Sequence, residues 1–299
     1  MRSLLLVSCC ALLSLALGCH SRPRLVPVSS PPPPLRLDFR PPVDRVLTEL
    51  LQTSRTVERG GARTRDDAEL TTQSRFAPSE GGWLLTQTVE HARRVHDGQE
   101  VTSAVDELLS RFSLQQRLSA DGSFIRLEGA DAARQAVRQA LPAGPEMALL
   151  ERFFAPEALE ARARREWEVK YGGLFQRNLV EGQRTWAVDA FTTGDSEGHF
   201  LLERTVQGSR ATEYGDAVVF TLRCLDKVPK DASRELLEAW SEAGSPALTS
   251  GVTCQGEQVV ARSRFVPVHR RLTVSAPVRG ETWTWTTETH AQQLQEEAQ

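Results

Sequence analysis

The chain has 299 residues, of which 40% are hydrophobic and 25% charged, and its formal net charge at pH 7 is −3. From about residue 43 onward some 250 residues remain, enough for one large domain or two small ones. Nucleic-acid-binding proteins usually present strongly basic surfaces, so the slight negative charge argues against nucleic acid as a partner.

The N-terminus has the three parts of a secretory signal peptide. Arg2 supplies a positive charge, residues 4–17 form an apolar run, and the small residue Gly18 precedes Cys19. The apolar run is too short to cross the ~30 Å hydrocarbon core of a bilayer as a helix. Residues 1–18 are therefore predicted to be removed on export.

The segment Leu15-Ala16-Leu17-Gly18-Cys19 resembles the lipobox of bacterial lipoproteins. This resemblance implies that Cys19 becomes the new N-terminus and carries acyl chains such as palmitate, which anchor the protein to a membrane. It also implies a location in the bacterial cell envelope, and we expect the outer membrane, facing the periplasm. The alternative is an ordinary signal peptide in which Cys19 is incidental.

The chain after Cys19 divides into a tether and a body. Residues 20–42 contain eight prolines and few apolar side chains, so residues 19–42 are predicted to form an extended, proline-rich membrane tether. Residues 43–299 are predicted to form the folded body, with 43–145 and 146–299 as its candidate halves.

Alternating apolar and polar residues in the body predict strands with one buried face over residues 84–89, 124–127, 217–222, 259–268 and 271–287. The pairs Gly81-Gly82, Asp97-Gly98 and Asp121-Gly122 are typical of turns in antiparallel hairpins. Helical spacing predicts helices over 131–141, 146–169 with a break near Pro156, and 231–243. In the third helix Leu236, Leu237 and Trp240 are predicted to face the core.

An internal similarity relates the two candidate halves. Residues 79–89 match residues 196–206 at a constant offset of 117, with seven identities. We interpret the body as an α+β fold, rich in antiparallel strands, with two related sheet-plus-helix halves that form a curved sheet or half-barrel. Coincidental similarity between two turn-plus-strand segments is the alternative.

Cys224 and Cys254 remain for pairing within the mature body. Both lie in strand-like segments, and the periplasm is oxidising, so a disulfide between them is predicted. Two unpaired buried thiols are the alternative.

The segment Gly194-Asp195-Ser196-Glu197-Gly198 fits the G-x-S-x-G pattern of hydrolase nucleophiles. That chemistry needs the serine on a sharp strand-to-helix turn. The residues that follow Gly198 predict a strand instead, so Ser196 is interpreted as a turn residue and remains only a weak candidate nucleophile.

Trp283 and Trp285 lie two residues apart and so share one face of a strand. They are candidates for binding an apolar ligand; the favoured alternative is core packing against the helix that bears Trp240. The spacing of His91 and His96 does not suit a zinc site, and no metal or cofactor is expected.

These observations predict a membrane-anchored envelope lipoprotein that does not catalyse a reaction and binds an apolar small ligand or an envelope protein. One alternative is a serine hydrolase that uses Ser196. The other is a structural or assembly lipoprotein that docks a partner on its sheet edges.

Overall fold

The computed structural model describes residues 34–102, 106, 110, 113–140, 144–193, 196–243 and 251–296. The predicted signal peptide over residues 1–18 and the predicted lipidation site Cys19 lie outside the described residues. From Pro34 onward the chain forms one compact unit.

The described residues form strands and helices with the following bounds. The strands are β1 Leu35–Leu37, β2 Arg45–Arg59, β3 Ala62–Ser79, β4 Gly82–His96, β5 Gln99–Val101, β6 Ser113–Ser119, β7 Phe124–Glu128, β8 Arg177–Leu179, β9 Arg184–Thr193, β10 Ser196–Thr212, β11 Gly215–Leu225, β12 Thr253–Ala261, β13 Pro267–Val278 and β14 Glu281–Glu296. The helices are α1 Ala130–Ala140, α2 Pro145–Phe153, α3 Pro156–Tyr171 and α4 Arg234–Glu242. Within this part of the chain, no helix is long and apolar enough to cross a membrane.

One large antiparallel sheet contains every described strand except β1 and β8, which pair with each other. Its strand order is β7-β6-β4-β3-β2-β14-β13-β12-β11-β10-β9, with β5 beside β4. The candidate halves therefore share a single sheet, which they join by pairing β2 with β14. β7 and β9 are its ends and do not pair in the described structure, so the sheet is open. The predicted antiparallel, β-rich α+β fold with a curved sheet is confirmed.

Helix α3 packs against one face of the sheet, which we call the inner face. Trp167 and Tyr171 of α3 are buried in the main hydrophobic core together with Phe39 and Phe265. The Phe265 ring lies 5.0 Å from that of Phe39 and 5.1 Å from that of Tyr171, between ring centroids. Trp167 also donates a hydrogen bond from Nε1 to the carbonyl of Gly122, at 2.9 Å. The helix is thereby fixed along one side of the inner face.

The C-terminal end of the predicted tether belongs to the folded body. Leu35 of β1 is paired with Leu179 of β8, and Leu37 and Phe39 are buried. The boundary predicted at residue 42 is thus too late, because alternating apolar residues between the prolines form a strand. The two similar segments, residues 79–89 and 196–206, place matching side chains on the inner face. β4 presents Trp83 and Leu85 there, and β10 presents Phe200 and Leu202.

Three local predictions differ from the structure. Residues 259–268 and 271–287 were each predicted as a single strand, but both segments are interrupted. The first breaks between Ala261 and Pro267, and the second breaks at Arg279 and Gly280, where φ is positive. Leu237 of α4 is 47% exposed rather than core-facing, whereas Leu236 is buried. The third helix was predicted to start at residue 231, but α4 starts after Ser233. Oγ of Ser233 accepts a hydrogen bond from the Leu236 amide at 3.2 Å and so caps the helix there.

Candidate functional site

A cavity of about 730 Å³ lies between the inner face of the sheet and α3. Strand alternation brings every second side chain to this face. Leu51, Thr53 and Arg55 of β2 line the cavity, as do Trp285 and Thr287 of β14. β2 and β14 are the strands through which the two halves of the sheet meet, so the cavity lies over the middle of the sheet.

One side of the cavity is apolar. We call it the apolar wall, and its members lie on β9, β10, β13 and β14: Phe191, Phe200, Leu272, Val274 and Trp285. The ring centroid of Phe191 lies 4.6 Å from that of Trp285 and 6.2 Å from that of Phe200. Val274 is the cross-strand partner of Trp285. These side chains form a continuous aromatic and aliphatic surface that faces the cavity.

The two candidate tryptophans have different surroundings. Their ring centroids are 5.7 Å apart, and Trp285 lines the cavity. Trp283 donates a hydrogen bond from Nε1 to Glu281 at 2.9 Å and lies under the guanidinium of Arg55. Trp285 packs on Phe191 of β9, whereas the sequence favoured packing against the helix that bears Trp240. Trp285 thus belongs both to a hydrophobic cluster and to the cavity lining.

Charged side chains lie on the helical side of the cavity. Arg165 of α3 and Glu197 of β10 form an ion pair with 2.5 Å between Nη2 and Oε1. Lys170 lies 2.6 Å from Glu166, and its positive charge lowers the pKa of that carboxyl. Burial raises the pKa of Asp189 on β9. The cavity therefore combines an apolar wall with a charged side, which suits a ligand that has an apolar part and a polar part.

The C-terminal end of α3 is fixed by two polar side chains from the inner face. Arg204 of β10 donates from Nη1 to the Lys170 carbonyl at 3.0 Å and from Nη2 to the Gly172 carbonyl at 2.6 Å. Gln258 of β12 also donates to the Lys170 carbonyl, at 2.7 Å. These bonds satisfy carbonyl groups that a helix end otherwise leaves without partners. Burial lowers the pKa of Arg204 to about 9, so the guanidinium stays charged at neutral pH.

A second, smaller cavity of about 70 Å³ lies under α3. A chain of hydrogen bonds crosses β2, β3, β4 and β6 there. Ser74 donates to Glu49 at 3.3 Å, Gln87 to Ser74 at 3.4 Å, and Gln116 to Gln87 at 2.7 Å. Burial raises the pKa of Glu49. These polar residues interrupt the apolar inner face, which explains why β2, β3 and β6 have no clear hydrophobic alternation.

One group of side chains could hold a metal ion, although none was expected from the sequence. It consists of His269, Glu288 and His290. Oε1 of Glu288 lies 3.2 Å from Nε2 of His269 and 2.8 Å from Nε2 of His290. Pairing of β13 with β14 brings the two histidines opposite each other, on the face away from the cavity. Hydrogen bonds from the imidazoles to the carboxylate account for this arrangement without an ion.

The backbone at Ser196 is that of a β-hairpin. β10 starts at Ser196, which pairs with Thr193 of β9, while Gly194 and Asp195 lie outside the described residues. A strand therefore follows the G-x-S-x-G segment, whereas a hydrolase nucleophile sits on a strand-to-helix turn. Nε2 of the neighbouring His199 lies 3.7 Å from Glu197.

We expect the substitution Ser196→Ala to leave ligand binding unchanged and to shift the free energy of unfolding by no more than ~0.5 kcal/mol. A fluorophosphonate probe, which labels activated serines, should label neither protein. Labelling of the wild type that the substitution abolishes would contradict this prediction and support a hydrolase.

Cys224 of β11 and Cys254 of β12 form a disulfide, with 5.1 Å between their Cα atoms. Both side chains pack against the hydrophobic cluster that includes Phe191 and Phe200. The bond therefore joins two neighbouring strands that lie between β10 and β13, on the same face of the sheet as the apolar wall.

No protein-family model and no curated protein matches this chain. Among solved structures, one of lipovitellin, described as concerning lipid–protein interactions, has 13% sequence identity and a TM-score of 0.46. The match covers 88% of this chain and only 26% of lipovitellin. A Bacteroides fragilis protein with a YmcC-like fold has 10% identity and a TM-score of 0.24, over 87% of this chain and 99% of that protein. Similarities at this level establish neither a common family nor a common function.

Proposed function

We propose that this chain is an exported bacterial lipoprotein, anchored by a lipid on Cys19, whose body binds a small apolar or amphipathic ligand without catalysing a reaction. The observation that carries the proposal is the cavity of about 730 Å³ with its apolar wall. We place the protein in the cell envelope, at the outer membrane and facing the periplasm.

The size of the cavity supports ligand binding. Ligand sites in proteins usually measure ~300 to 1,000 Å³, are largely apolar and contain a few polar groups that orient the ligand. The cavity over β2 and β14 has these properties, and a ligand that filled it would pack against the apolar wall.

The first test is the binding of N-phenyl-1-naphthylamine, an uncharged dye that fluoresces in apolar sites. We expect saturable binding to the full-length protein. Trp285→Ala should weaken it about tenfold, because loss of an aromatic contact of ~1.4 kcal/mol corresponds to that factor. Fluorescence titration measures the affinity.

Trp283→Ala is the matched control, since Trp283 is next to Trp285 on the same face but is not part of the cavity lining. It should bind the dye nearly as well as the wild type. Absence of saturable binding, or equal losses in both variants, would contradict ligand binding in this cavity. If Trp285→Ala alone weakens binding, mass spectrometry of lipids that copurify with the full-length protein would identify the natural ligand.

The anchor is tested separately. We expect Cys19→Ser to remain unprocessed or to be released from membranes, because a hydroxyl cannot replace the thiol that receives the lipid. Fractionation of cells and the mass of the mature N-terminus measure this. A processed Cys19→Ser protein that stays with the membranes as the wild type does would contradict the lipid anchor.

A further inference from the structure

Arg270 of β13 lines the cavity, although its side chain is only 8% exposed. Its Nε and Nη2 atoms are buried and have no hydrogen-bond partner among the described residues. The nearest carboxylate oxygen in an ion pair with it, Oδ2 of Asp189, lies 3.8 Å from Nη2, beyond hydrogen-bond distance. A buried guanidinium with unsatisfied donors is costly, so its presence here needs an explanation.

The two unsatisfied atoms lie on one edge of the guanidinium. Nε–H and an Nη–H on the same side donate two parallel hydrogen bonds, which match the two oxygens of a carboxylate or phosphate. The other buried arginine, Arg204, uses its donors on the carbonyls of α3. The other arginines of the cavity have partners: Arg55 pairs with Asp66, Arg94 with Asp106 and Arg165 with Glu197, and the guanidinium of Arg162 lies over the ring of Phe153. Arg270 is thus the cavity cation whose donors are best placed for a ligand.

The apolar wall continues from Arg270 along the same strand. Leu272 and Val274 follow at every second position and share its face, and both line the cavity. The rise of a strand places Val274 about 13 Å from Arg270. Trp285, opposite Val274, extends the apolar surface at that end. A charged head at Arg270 would therefore leave a ligand's chain lying over Leu272, Val274 and Trp285.

The carboxylate nearest Arg270 favours a head group with a single negative charge. Cationic side chains such as Arg165 and Lys170 also line the cavity. Oδ2 of Asp189, however, lies 3.8 Å from Nη2 of Arg270, so a doubly charged phosphate on the Nε–Nη2 edge would be repelled more strongly than a carboxylate. We propose that the cavity selects a carboxylate-headed amphiphile, such as a fatty acid, whose head binds the Nε–Nη2 edge of Arg270. This inference rests on the proposed function and adds the chemical class of the ligand.

The test compares three ligands with the same chain: dodecanoic acid, dodecanol and dodecyl phosphate. Each displaces N-phenyl-1-naphthylamine from the full-length wild-type protein at pH 7.5. We expect dodecanoate to bind at least tenfold more tightly than dodecanol and more tightly than dodecyl phosphate. Equal affinity for dodecanoate and dodecanol would overturn the role of Arg270, while dye binding would leave the proposed function standing. Tighter binding of dodecyl phosphate would overturn the carboxylate head.

Substitutions test whether Arg270 is responsible for the preference for dodecanoate. Arg270→Gln should weaken dodecanoate binding at least tenfold and leave the affinities for dodecanol and the dye unchanged. Arg270→Lys keeps the charge without the paired donors and should retain part of the preference. Arg210→Gln is the control, because Arg210 pairs with Glu257 and does not line the cavity. Unchanged selectivity in a folded Arg270→Gln protein, or its loss in Arg210→Gln, would contradict the assignment.

Discussion

Replacing Arg204 with methionine should lower the free energy of unfolding by about 2 to 3 kcal/mol. Arg204 is 1% exposed and donates to the carbonyls of Lys170 and Gly172 and to Oγ1 of Thr185. Methionine fills much of the same space but donates no hydrogen bond. The carbonyl of Gly172 would then be left without this donor at the end of α3, whereas that of Lys170 would keep its bond from Gln258.

Urea denaturation followed by circular dichroism measures this loss. Arg210→Met is the matched control, because Arg210 forms a two-pronged ion pair with Glu257 but is 52% exposed. Exposed ion pairs contribute little, so the control should lose less than about 1 kcal/mol. Equal losses in the two variants would show that the hydrogen bonds from Arg204 to the end of α3 stabilise the protein no more than an exposed ion pair does.

Reduction of the disulfide should lower the free energy of unfolding by about 3 to 4 kcal/mol. Cys224 and Cys254 have a sequence separation of 30, so the bond closes a loop of that length. Closing this loop lowers the conformational entropy of the unfolded chain and so favours the folded state. Thermal and urea unfolding with and without dithiothreitol measure the difference. We also expect no free thiol in the denatured, unreduced body.

The double variant Cys224→Ala/Cys254→Ala is the control for the reductant. It should be about as unstable as the reduced wild type and should not respond further to dithiothreitol. Two titratable thiols in the unreduced body, or equal stability with and without reductant, would contradict the contribution of the bond.

Hydrophobic alternation predicted the strands that face the main core. Residues 124–127 and 217–222 lie within β7 and β11, where Phe124, Leu127 and Phe220 are buried. Pro156 marks the start of α3, as expected for a proline that favours the first turn of a helix.

The same criterion missed β2 and β3, which together cover most of residues 45–79. Their inner faces line the two cavities with polar side chains such as Arg55, Asp66 and Ser74. A strand that faces a cavity needs no continuous apolar stripe, so period-two hydrophobicity is lost in the part of the candidate site that β2 and β3 line, whereas β13 and β14 keep it along the apolar wall. The cavity itself depends on how far α3 lies from the sheet, which tertiary packing decides.

The sequence identified Trp285 as a candidate from its place beside Trp283, but it did not identify Arg204 or Arg270. A signal was present in both cases. Arg204 follows Leu202 on the buried face of β10, and Arg270 precedes Leu272 on that of β13. A charged residue at an apolar position of a strand is costly to bury, so it indicates either a structural partner or a ligand.

The open sheet also bears on how strictly the protein measures the size of what it binds. A closed ring of strands has a diameter fixed by the number and stagger of its strands. Here β7 and β9 stay unpaired with each other in the described structure, so no backbone hydrogen bond sets the distance between the two ends. Small changes of twist between neighbouring strands would alter the curvature while every ladder stays intact. A binding site on such a sheet would accept ligands whose apolar chains differ in length and branching. The head group, rather than the diameter of the chain, would then decide which ligand binds.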